Sequence, residues 1–107
     1  MITKIYIAGK VSGENFQEAT LKFAQAQLEI EALGYEVVNP LEIVNDGNAS
    51  WIDAMKLCIK SLVDCDAVLL LPDYSSSKGA LLEKRIALQL ELTIFKDLKL
   101  IPKLIKS

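Results

Sequence analysis

The chain has 107 residues, of which 51% are hydrophobic and 24% charged. This composition predicts one globular domain, residues 1–107, and excludes a disordered chain. Lys and Arg number 12 and Asp and Glu number 14, giving a formal net charge of −2, which argues against a nucleic-acid-binding protein because such proteins are normally basic. The sequence contains no histidine, which excludes Ser-His-Asp and Cys-His catalytic systems and histidine-ligated metal sites.

The cysteine content and the apolar runs indicate where the protein resides. Cys58 and Cys65 are too few for the disulfide framework of a small secreted domain. Met1 leads directly into a strand-like pattern, and no apolar run approaches the roughly 20 residues that a membrane span requires. Cys58 lies on the apolar stripe of a predicted helix, where we expect a small core side chain. We therefore expect a reduced, cytoplasmic protein with no membrane contact, no metal and no other cofactor.

Strands and helices alternate along the chain. Short apolar runs predict the strands, and apolar residues spaced by three and four predict the helices. The segment 96–107 is ambiguous and is a strand, a short helix or a partner-facing segment. In chain order we predict a strand at 5–8, a helix at 14–33, a strand at 35–38, an irregular loop at 41–50, a helix at 51–62, a strand at 67–71, a helix from 79 or 80 to about 90, and a strand at 92–95.

This order of elements predicts the fold class. It is typical of a three-layer α/β sandwich of the flavodoxin-like or Rossmann-like kind, with a mainly parallel sheet of four to five strands. Ligands of such folds bind beyond the carboxyl ends of the strands. Three predicted loops, 9–14, 39–50 and 72–79, meet at that edge.

One carboxylate on the last predicted helix lies on its apolar face. With about 100° of rotation per residue, Glu83 lies inside the apolar arc bounded by Leu82 and Ala87. Burying a carboxylate in a core costs free energy unless the group is ion-paired or hydrogen-bonded, or serves a function that offsets the cost. A capping box does not explain it, because Ala80 stands where Ser or Thr is needed. Two interpretations of Glu83 remain. Its carboxylate either interacts with the helix dipole or lies in the ligand cleft.

Two loops and one strand offer further polar groups. The loops that precede the first and last long helices contain glycine and serine, which suit an anion or a sugar, although neither loop matches a Walker A or GxGxxG pattern. Capping by Ser77 and a solvated Lys10 are the alternatives. Tyr6 either packs in the sheet or reaches the helix that covers the third strand. The candidate binding residues of the two loops are Gly9, Lys10, Ser12, Gly13, Ser77 and Gly79.

The motifs at 5–9, 12–13, 66 and 77–83, taken in this order, resemble those of the nucleoside 2-deoxyribosyltransferase superfamily. The resemblance covers roughly residues 2–95. It is closest to the small bacterial and phage branch designated a domain of unknown function (DUF4406), which shares the Asn-Pro after the second strand and the Trp before the next long helix. It implies a flavodoxin-like α/β fold and a glutamate nucleophile near the start of a helix.

The resemblance implies roles for individual residues. Glu83, four residues after Gly79, matches the nucleophile, and Tyr6 matches the tyrosine that orients it. Ser77 matches a serine that contacts phosphate in the 2'-deoxynucleoside 5'-monophosphate glycosidases of the superfamily, whereas the free-nucleoside transferases tend to carry an aspartate there. The first loop departs from the glycosidase pattern, since its lysine and serine replace a serine and an arginine.

The implied mechanism is a double displacement at the anomeric carbon. Glu83 attacks C1' and displaces the base, and water or a second base resolves the intermediate. Asp73, at the carboxyl end of the third strand, is the candidate acid for the leaving base, and Asn39 is a candidate contact for a base or a ribose. Trp51 either stacks on a base or packs the start of its helix. We expect Asp66, at the opposite end of the third strand, to be structural.

Two other classes of function compete with an enzyme. The same cleft can hold a nucleotide or nucleotide sugar without cleaving it, in a sensor or phage accessory protein, and Glu83→Gln would then be tolerated. Alternatively, the apolar segment 98–105 docks another subunit of an interaction protein. We expect a homo-oligomer from the resemblance and from this segment.

Overall fold

A computed structural model describes residues 1–44 and 48–105. The strands are Lys4–Ala8 (β1), Glu36–Val38 (β2), Ala67–Leu70 (β3) and Thr93–Phe95 (β4). The helices are Phe16–Ala32 (α1), Pro40–Ile43 (α2), Trp51–Leu62 (α3) and Lys78–Gln89 (α4), and short 3-10 turns occupy Tyr74–Ser76 and Leu98–Leu100. No described helix has the length and apolar character that crossing a membrane requires.

The described strands form one parallel sheet in the order β2-β1-β3-β4. β1 is central, and Tyr6 pairs with Val38 on one side and with Val68 on the other. The apolar side chains of α1 pack on one face of the sheet, and those of α3 and α4 pack on the other. This arrangement confirms the predicted α/β class, the three layers and the parallel sheet.

The alternation of side chains along β1 decides which residues face which helices. Ile5 and Ile7 belong to the core cluster under α1, whereas Tyr6 and Ala8 belong to the cluster under α3 and α4. Successive side chains of a strand point to opposite faces, so this division follows from the sequence period of two. It places the only polar side chain of these four on the α4 side of the sheet.

Local capping explains where the helices begin. α1 begins at Phe16, two residues later than predicted, because the Asn15 side chain accepts a hydrogen bond from the Glu18 N–H. Ser50 caps α3 in the same way. The loop predicted at 41–50 is wrong in its first part, since Asn39 caps the short helix α2 there and Pro40 favours its first turn. Positions 45–47 of that loop lie outside the described residues.

The C-terminal segment packs on its own chain. Ile101 is buried in the core under α1. The Tyr35 hydroxyl donates to the Pro102 carbonyl at 2.6 Å, and the Leu104 N–H donates to the Leu33 carbonyl at 2.8 Å. The exposed large apolar side chains described in this segment are those of Leu100 and Ile105. The segment therefore packs in part on its own chain, and its docking to another subunit stays a prediction.

Gly9 is required by the packing at the end of β1. A Cβ atom at this position would lie 2.7 Å from Leu71 Cδ1 and 3.0 Å from Leu71 Cβ, and Leu71 is itself buried. The glycine therefore lets β1 and the chain leaving β3 approach each other closely.

Gly9→Ala is expected to lower the free energy of unfolding by about 1–3 kcal/mol, because the new methyl group overpacks a closed core. Urea denaturation of the variant and of the wild type measures this loss. Leu71→Ala removes the nearest atom, so Gly9→Ala should be less costly in that background. An equal loss in both backgrounds would show that Leu71 is not the constraint.

Candidate functional site

The carboxylate predicted to face the sheet is buried. Glu83 is 4% exposed and lies between Ala80 and Ala87 on the inward side of α4. The hydroxyl of Tyr6, which is fully buried, donates a hydrogen bond to Glu83 Oε2. The small alanines allow α4 to lie close to the sheet, so that a strand side chain reaches the carboxylate. The prediction that Tyr6 reaches this helix is confirmed.

The two oxygens of Glu83 have different surroundings. Oε2 accepts the Tyr6 hydrogen bond, and Oε1 has no hydrogen-bond partner among the described residues. Every described side-chain oxygen that is fully sealed from solvent has a partner, and Glu83 as a whole is 4% exposed. The carboxylate is therefore held at Oε2, and Oε1 is its oxygen without a hydrogen-bond partner among the described residues.

Burial sets the protonation of this pair. It raises the pKa of Glu83 to about 7, although the hydrogen bond from Tyr6 acts in the opposite direction. Burial and the nearby carboxylate raise the pKa of Tyr6, so the phenol stays protonated. Near pH 7 the protonated and ionised forms of the Glu83 carboxyl are therefore both populated.

The first turn of α4 meets the start of α3 beside this carboxylate. Ser77 Oγ accepts a hydrogen bond from the Ala80 N–H at 3.1 Å, which confirms the capping interpretation of Ser77. Gly79, one turn before Glu83, has Trp51 Nε1 3.8 Å from the position of an added Cβ. The Lys78 ammonium lies 4.3 Å from the centroid of the Trp51 ring. Trp51 is 38% exposed, so it packs the helix start and still presents a surface at the cleft.

The loop after β1 is tied to the loop after β3. The Lys10 N–H donates to Asp73 Oδ1 at 3.0 Å. The Lys22 ammonium, on α1, donates to the Lys10 carbonyl at 2.8 Å, to Glu14 Oε1 at 3.3 Å and to Asp73 Oδ2. These bonds use the three hydrogens of the ammonium group. The Lys10 side chain itself has no partner among the described residues, so it is available to an anion.

The environment of Asp73 argues against its predicted role as an acid. Burial by itself would raise its pKa, but the hydrogen bonds from Lys22 and from the Lys10 N–H outweigh that effect and lower it. The carboxylate is therefore ionised near neutral pH and has no proton to give to a leaving base. Both of its oxygens are also occupied. Asp73 holds two loops of the ligand edge together.

Asn39 is engaged in the fold on the other side of the sheet. It is 6% exposed, its Oδ1 caps α2 at the Leu41 N–H, and its Nδ2 donates to Gln27 Oε1 at 3.0 Å. Gln27 belongs to α1, so this amide faces away from Glu83. The contact of Asn39 with a base or a ribose stays a prediction.

Three other predicted residues lie near the ends of the strands. Gly13 adopts a left-handed conformation with φ of 81° in the turn before α1, and Ser12 is exposed in the same turn. Asp66 Oδ2 accepts hydrogen bonds from the Lys4 N–H and from the N–H and hydroxyl of Thr3. Asp66 therefore ties together the starts of β1 and β3, at the edge opposite the ligand loops, as expected for a structural residue.

A family model described as Domain of unknown function (DUF4406) matches residues 3–96. The chain belongs to this family. The match runs from the start of β1 to the residue after β4, so it includes Tyr6, Glu83 and both loops of the ligand edge. A search of curated proteins found no match. The description of the DUF4406 family assigns no activity, so the function must be argued from the site.

Sequence reasoning missed Lys22 and Lys78, whereas Cys58 lies in the core as predicted. Lys22 carries no motif, and its role depends on Asp73, 51 residues away in the chain. Lys78 matters through the Trp51 ring, on another helix. A local pattern cannot reveal such pairs, since the two partners are joined only by the packing of the elements that carry them.

Glu83→Gln is expected to raise the melting temperature at pH 8 and to leave it nearly unchanged at pH 4. The folded pKa of about 7 lies above the ordinary value of 4.5, so the folded state binds the proton more tightly than the unfolded state. Wild-type stability therefore falls as the pH rises from about 4.5 to about 7, by about 3 kcal/mol in total. Glutamine is uncharged and escapes this loss.

Thermal melts of the two proteins at several pH values measure the effect. Glu29→Gln, at an exposed position of α1, is the matched control and should show no such pH dependence. Equal melting temperatures of the wild type and Glu83→Gln at pH 8 would contradict the raised pKa.

Proposed function

We propose that this DUF4406 domain cleaves the N-glycosidic bond of a nucleoside or nucleotide, with Glu83 as the nucleophile. The observation that carries the proposal is the buried carboxylate, which Tyr6 holds at Oε2 and whose Oε1 has no hydrogen-bond partner among the described residues. The position of Glu83 relative to the sheet also supports a ligand site. In the order β2-β1-β3-β4 the connections reverse direction between β1 and β3, and ligands of open α/β sheets bind beyond the carboxyl ends of strands at such a switch point.

The proposed reaction has two steps. In the first, a carboxylate oxygen of Glu83 forms a bond to C1' of the sugar, the bond from C1' to the base nitrogen breaks, and its electron pair leaves with the base. Water protonates the departing base, since Asp73 is held as an ion. In the second step, a water oxygen attacks C1', releases the carboxylate and frees the sugar with loss of a proton. A second base in place of water would give transfer.

Charge at the cleft supports a nucleotide as the substrate. The Lys10 ammonium has no described partner. The N–H groups of Lys78 and Gly79, at the start of α4, lie before the first turn of helical hydrogen bonds, whereas those of Ala80 and Leu81 bond to Ser77. The Ser77 hydroxyl accepts one hydrogen bond and keeps its own proton to donate. Together these groups suit a 5'-phosphate, as the resemblance to the monophosphate glycosidases implies. The exposed part of the Trp51 ring is the candidate surface for the base, and Lys78 must move from it when a base stacks there.

A binding module is the second candidate. Because burial raises the pKa of Glu83 to about 7, a large share of the carboxyl is protonated in the neutral range and can donate a hydrogen bond to a ligand without attacking it. We also retain a homo-oligomer as a proposal that rests on the resemblance, since the C-terminal segment packs largely on its own chain.

The decisive experiment is an assay of base release with a panel of 2'-deoxynucleosides and their 5'-monophosphates. We expect the wild type to release free base, preferring monophosphates, and Glu83→Gln to lose at least about a thousandfold in rate. Glu29→Gln should retain full activity, and Asp73→Asn should stay within about tenfold, because general-acid catalysis would be worth about a hundredfold or more. No release from any protein, with thermal stabilisation of the wild type and of Glu83→Gln by one ligand, would favour the binding module.

The pH dependence of kcat/KM tests the state of the nucleophile. The rate should rise with pH and level off above about 7, since attack requires ionised Glu83, whose pKa is about 7. Tyr6→Phe should lower the rate and move the inflection to higher pH, because the lost hydrogen bond favoured the carboxylate. If Tyr6 served only for packing, the inflection would stay in place.

A further inference from the structure

Both backbone polar groups of Lys10 are held by side chains from other elements. The Lys10 N–H donates to Asp73 Oδ1 at 3.0 Å, and the Lys10 carbonyl accepts a hydrogen bond from the Lys22 ammonium at 2.8 Å. Lys22 also donates to Asp73 Oδ2, so the two side chains that hold this backbone also hold each other. The backbone of Lys10 is therefore fixed at both its donor and its acceptor, whereas its ammonium has no partner among the described residues.

The rest of this loop depends on the same two side chains. Residues 11–14 are exposed, and within them the Glu14 N–H donates to the Val11 carbonyl at 3.2 Å. Glu14 Oε1 accepts a hydrogen bond from the Lys22 ammonium at 3.3 Å. Among the described residues, the hydrogen bonds that join residues 10–14 to other elements are those of Lys22 and Asp73. Loss of the Lys22 ammonium would remove two of them and leave the Lys10 carbonyl without its partner.

Lys22 also balances the charge of the loop. Two carboxylates, those of Glu14 and Asp73, lie within hydrogen-bond distance of its ammonium. Without Lys22 both would carry uncompensated negative charge beside Lys10, and would repel an anion that approaches the Lys10 ammonium. Lys22 therefore supports anion binding in two ways, by fixing the backbone of Lys10 and by offsetting the neighbouring carboxylates.

We propose that Lys22 is a positioning residue that sets the preference of this site for phosphorylated ligands, because it holds Lys10 where the Lys10 ammonium meets the 5'-phosphate of a nucleotide. The inference rests on the proposed function, in which Lys10 is a candidate phosphate contact. It adds a residue of α1 that acts through Lys10, without contact with the substrate.

The position of Lys10 along the chain suits this role. Lys10 follows Tyr6 by four residues, so their Cα atoms are at most about 13 Å apart, and Tyr6 contacts Glu83. A sugar phosphate and a lysine side chain together can bridge such a span. A lysine has a long flexible side chain, so fixing its backbone lowers the entropy that is lost when its ammonium binds an anion.

The chain contains a matched control for the loss of a paired lysine. The Lys4 ammonium lies 3.6 Å from Glu36 Oε2, and the Lys4 side chain is 34% exposed, against 26% for Lys22. Lys4 begins β1, at the edge of the sheet opposite the ligand loops. Lys4→Met thus removes the same charge and a similar ion pair at a site remote from Lys10.

The test measures kcat and KM of base release for each 2'-deoxynucleoside 5'-monophosphate and for the same nucleoside without phosphate. We expect Lys22→Met to raise KM for the monophosphate about tenfold, since the charge-assisted contact with phosphate is weakened. Its kcat, and its KM for the nucleoside, should change by less than about threefold, and Lys4→Met should change neither KM. An unchanged KM for the monophosphate, or an equal rise for both substrates, would overturn the inference. If Lys22→Met does not fold, Lys22→Gln replaces it, since glutamine is polar and lacks the charge.

A double-mutant cycle shows whether Lys22 acts through Lys10. Lys10→Met should itself raise KM for the monophosphate, and the addition of Lys22→Met should then raise it by less than about twofold. A further tenfold rise in the Lys10→Met background would show that Lys22 acts on the phosphate directly by its own charge, and would reject its positioning role.

A binding measurement separates this inference from the proposed function. Calorimetric titration of Glu83→Gln, with and without Lys22→Met, uses the same monophosphates and nucleosides and needs no turnover. Tighter binding of a monophosphate that Lys22→Met abolishes, with no base release by the wild type, would reject the proposed activity and keep the role of Lys22. Base release with a preference for monophosphates that Lys22→Met leaves intact would keep the activity and reject that role. Equal binding of monophosphates and nucleosides by Glu83→Gln would also reject it.

Discussion

The hydrogen bond from Tyr6 to Glu83 is the interaction on which the candidate site depends. It joins the central strand of the sheet to α4 inside the core. The two residues that it links are 77 positions apart in the chain. A neutral hydroxyl satisfies one oxygen of the carboxylate but does not neutralise its charge, so burial keeps the pKa near 7. The fold is most stable with the carboxyl protonated, whereas nucleophilic attack requires the ion. Stability and reactivity are thus opposed at one residue.

The two faces of the sheet differ in their polar contacts. On the face covered by α1, the Lys22 ammonium joins the loops after β1 and β3 through Lys10 and Asp73, and the C-terminal segment closes the core beside Tyr35. On the face covered by α3 and α4, the core contains Glu83. The first face fixes the loops that follow β1 and β3, and the second buries the carboxylate. The Asp73 carboxylate lies on the first face and is ionised, because the hydrogen bonds from Lys22 and from the Lys10 N–H lower its pKa.

Membership of the DUF4406 family establishes relationship without establishing chemistry. The chemistry must come from the contrast between the two oxygens of one carboxylate and from the groups at the start of α4. A glutamate carboxylate that is buried against a phenol destabilises the core when it is ionised, and such groups concentrate at functional sites. A hydrolase, a transferase and a ligand-binding module are all compatible with this geometry. Attack on the sugar by the carboxylate would separate the two enzymes from the binding module, and the acceptor in the second step, water or a base, would separate the enzymes from each other.

The amino-acid sequence alone determined the order of strands and helices, the parallel sheet and the inward position of Glu83. These features follow from hydrophobic period, and the caps at Ser50 and Ser77 follow from bonds that span three residues. Only the tertiary structure decided that Asp73 is an ion-paired tether, that Asn39 faces α1 and that the C-terminal segment covers its own core. Each of these depends on partners that are distant in the chain or lie on another element. Local sequence patterns cannot reveal such partners, because tertiary packing and not sequence spacing brings them together.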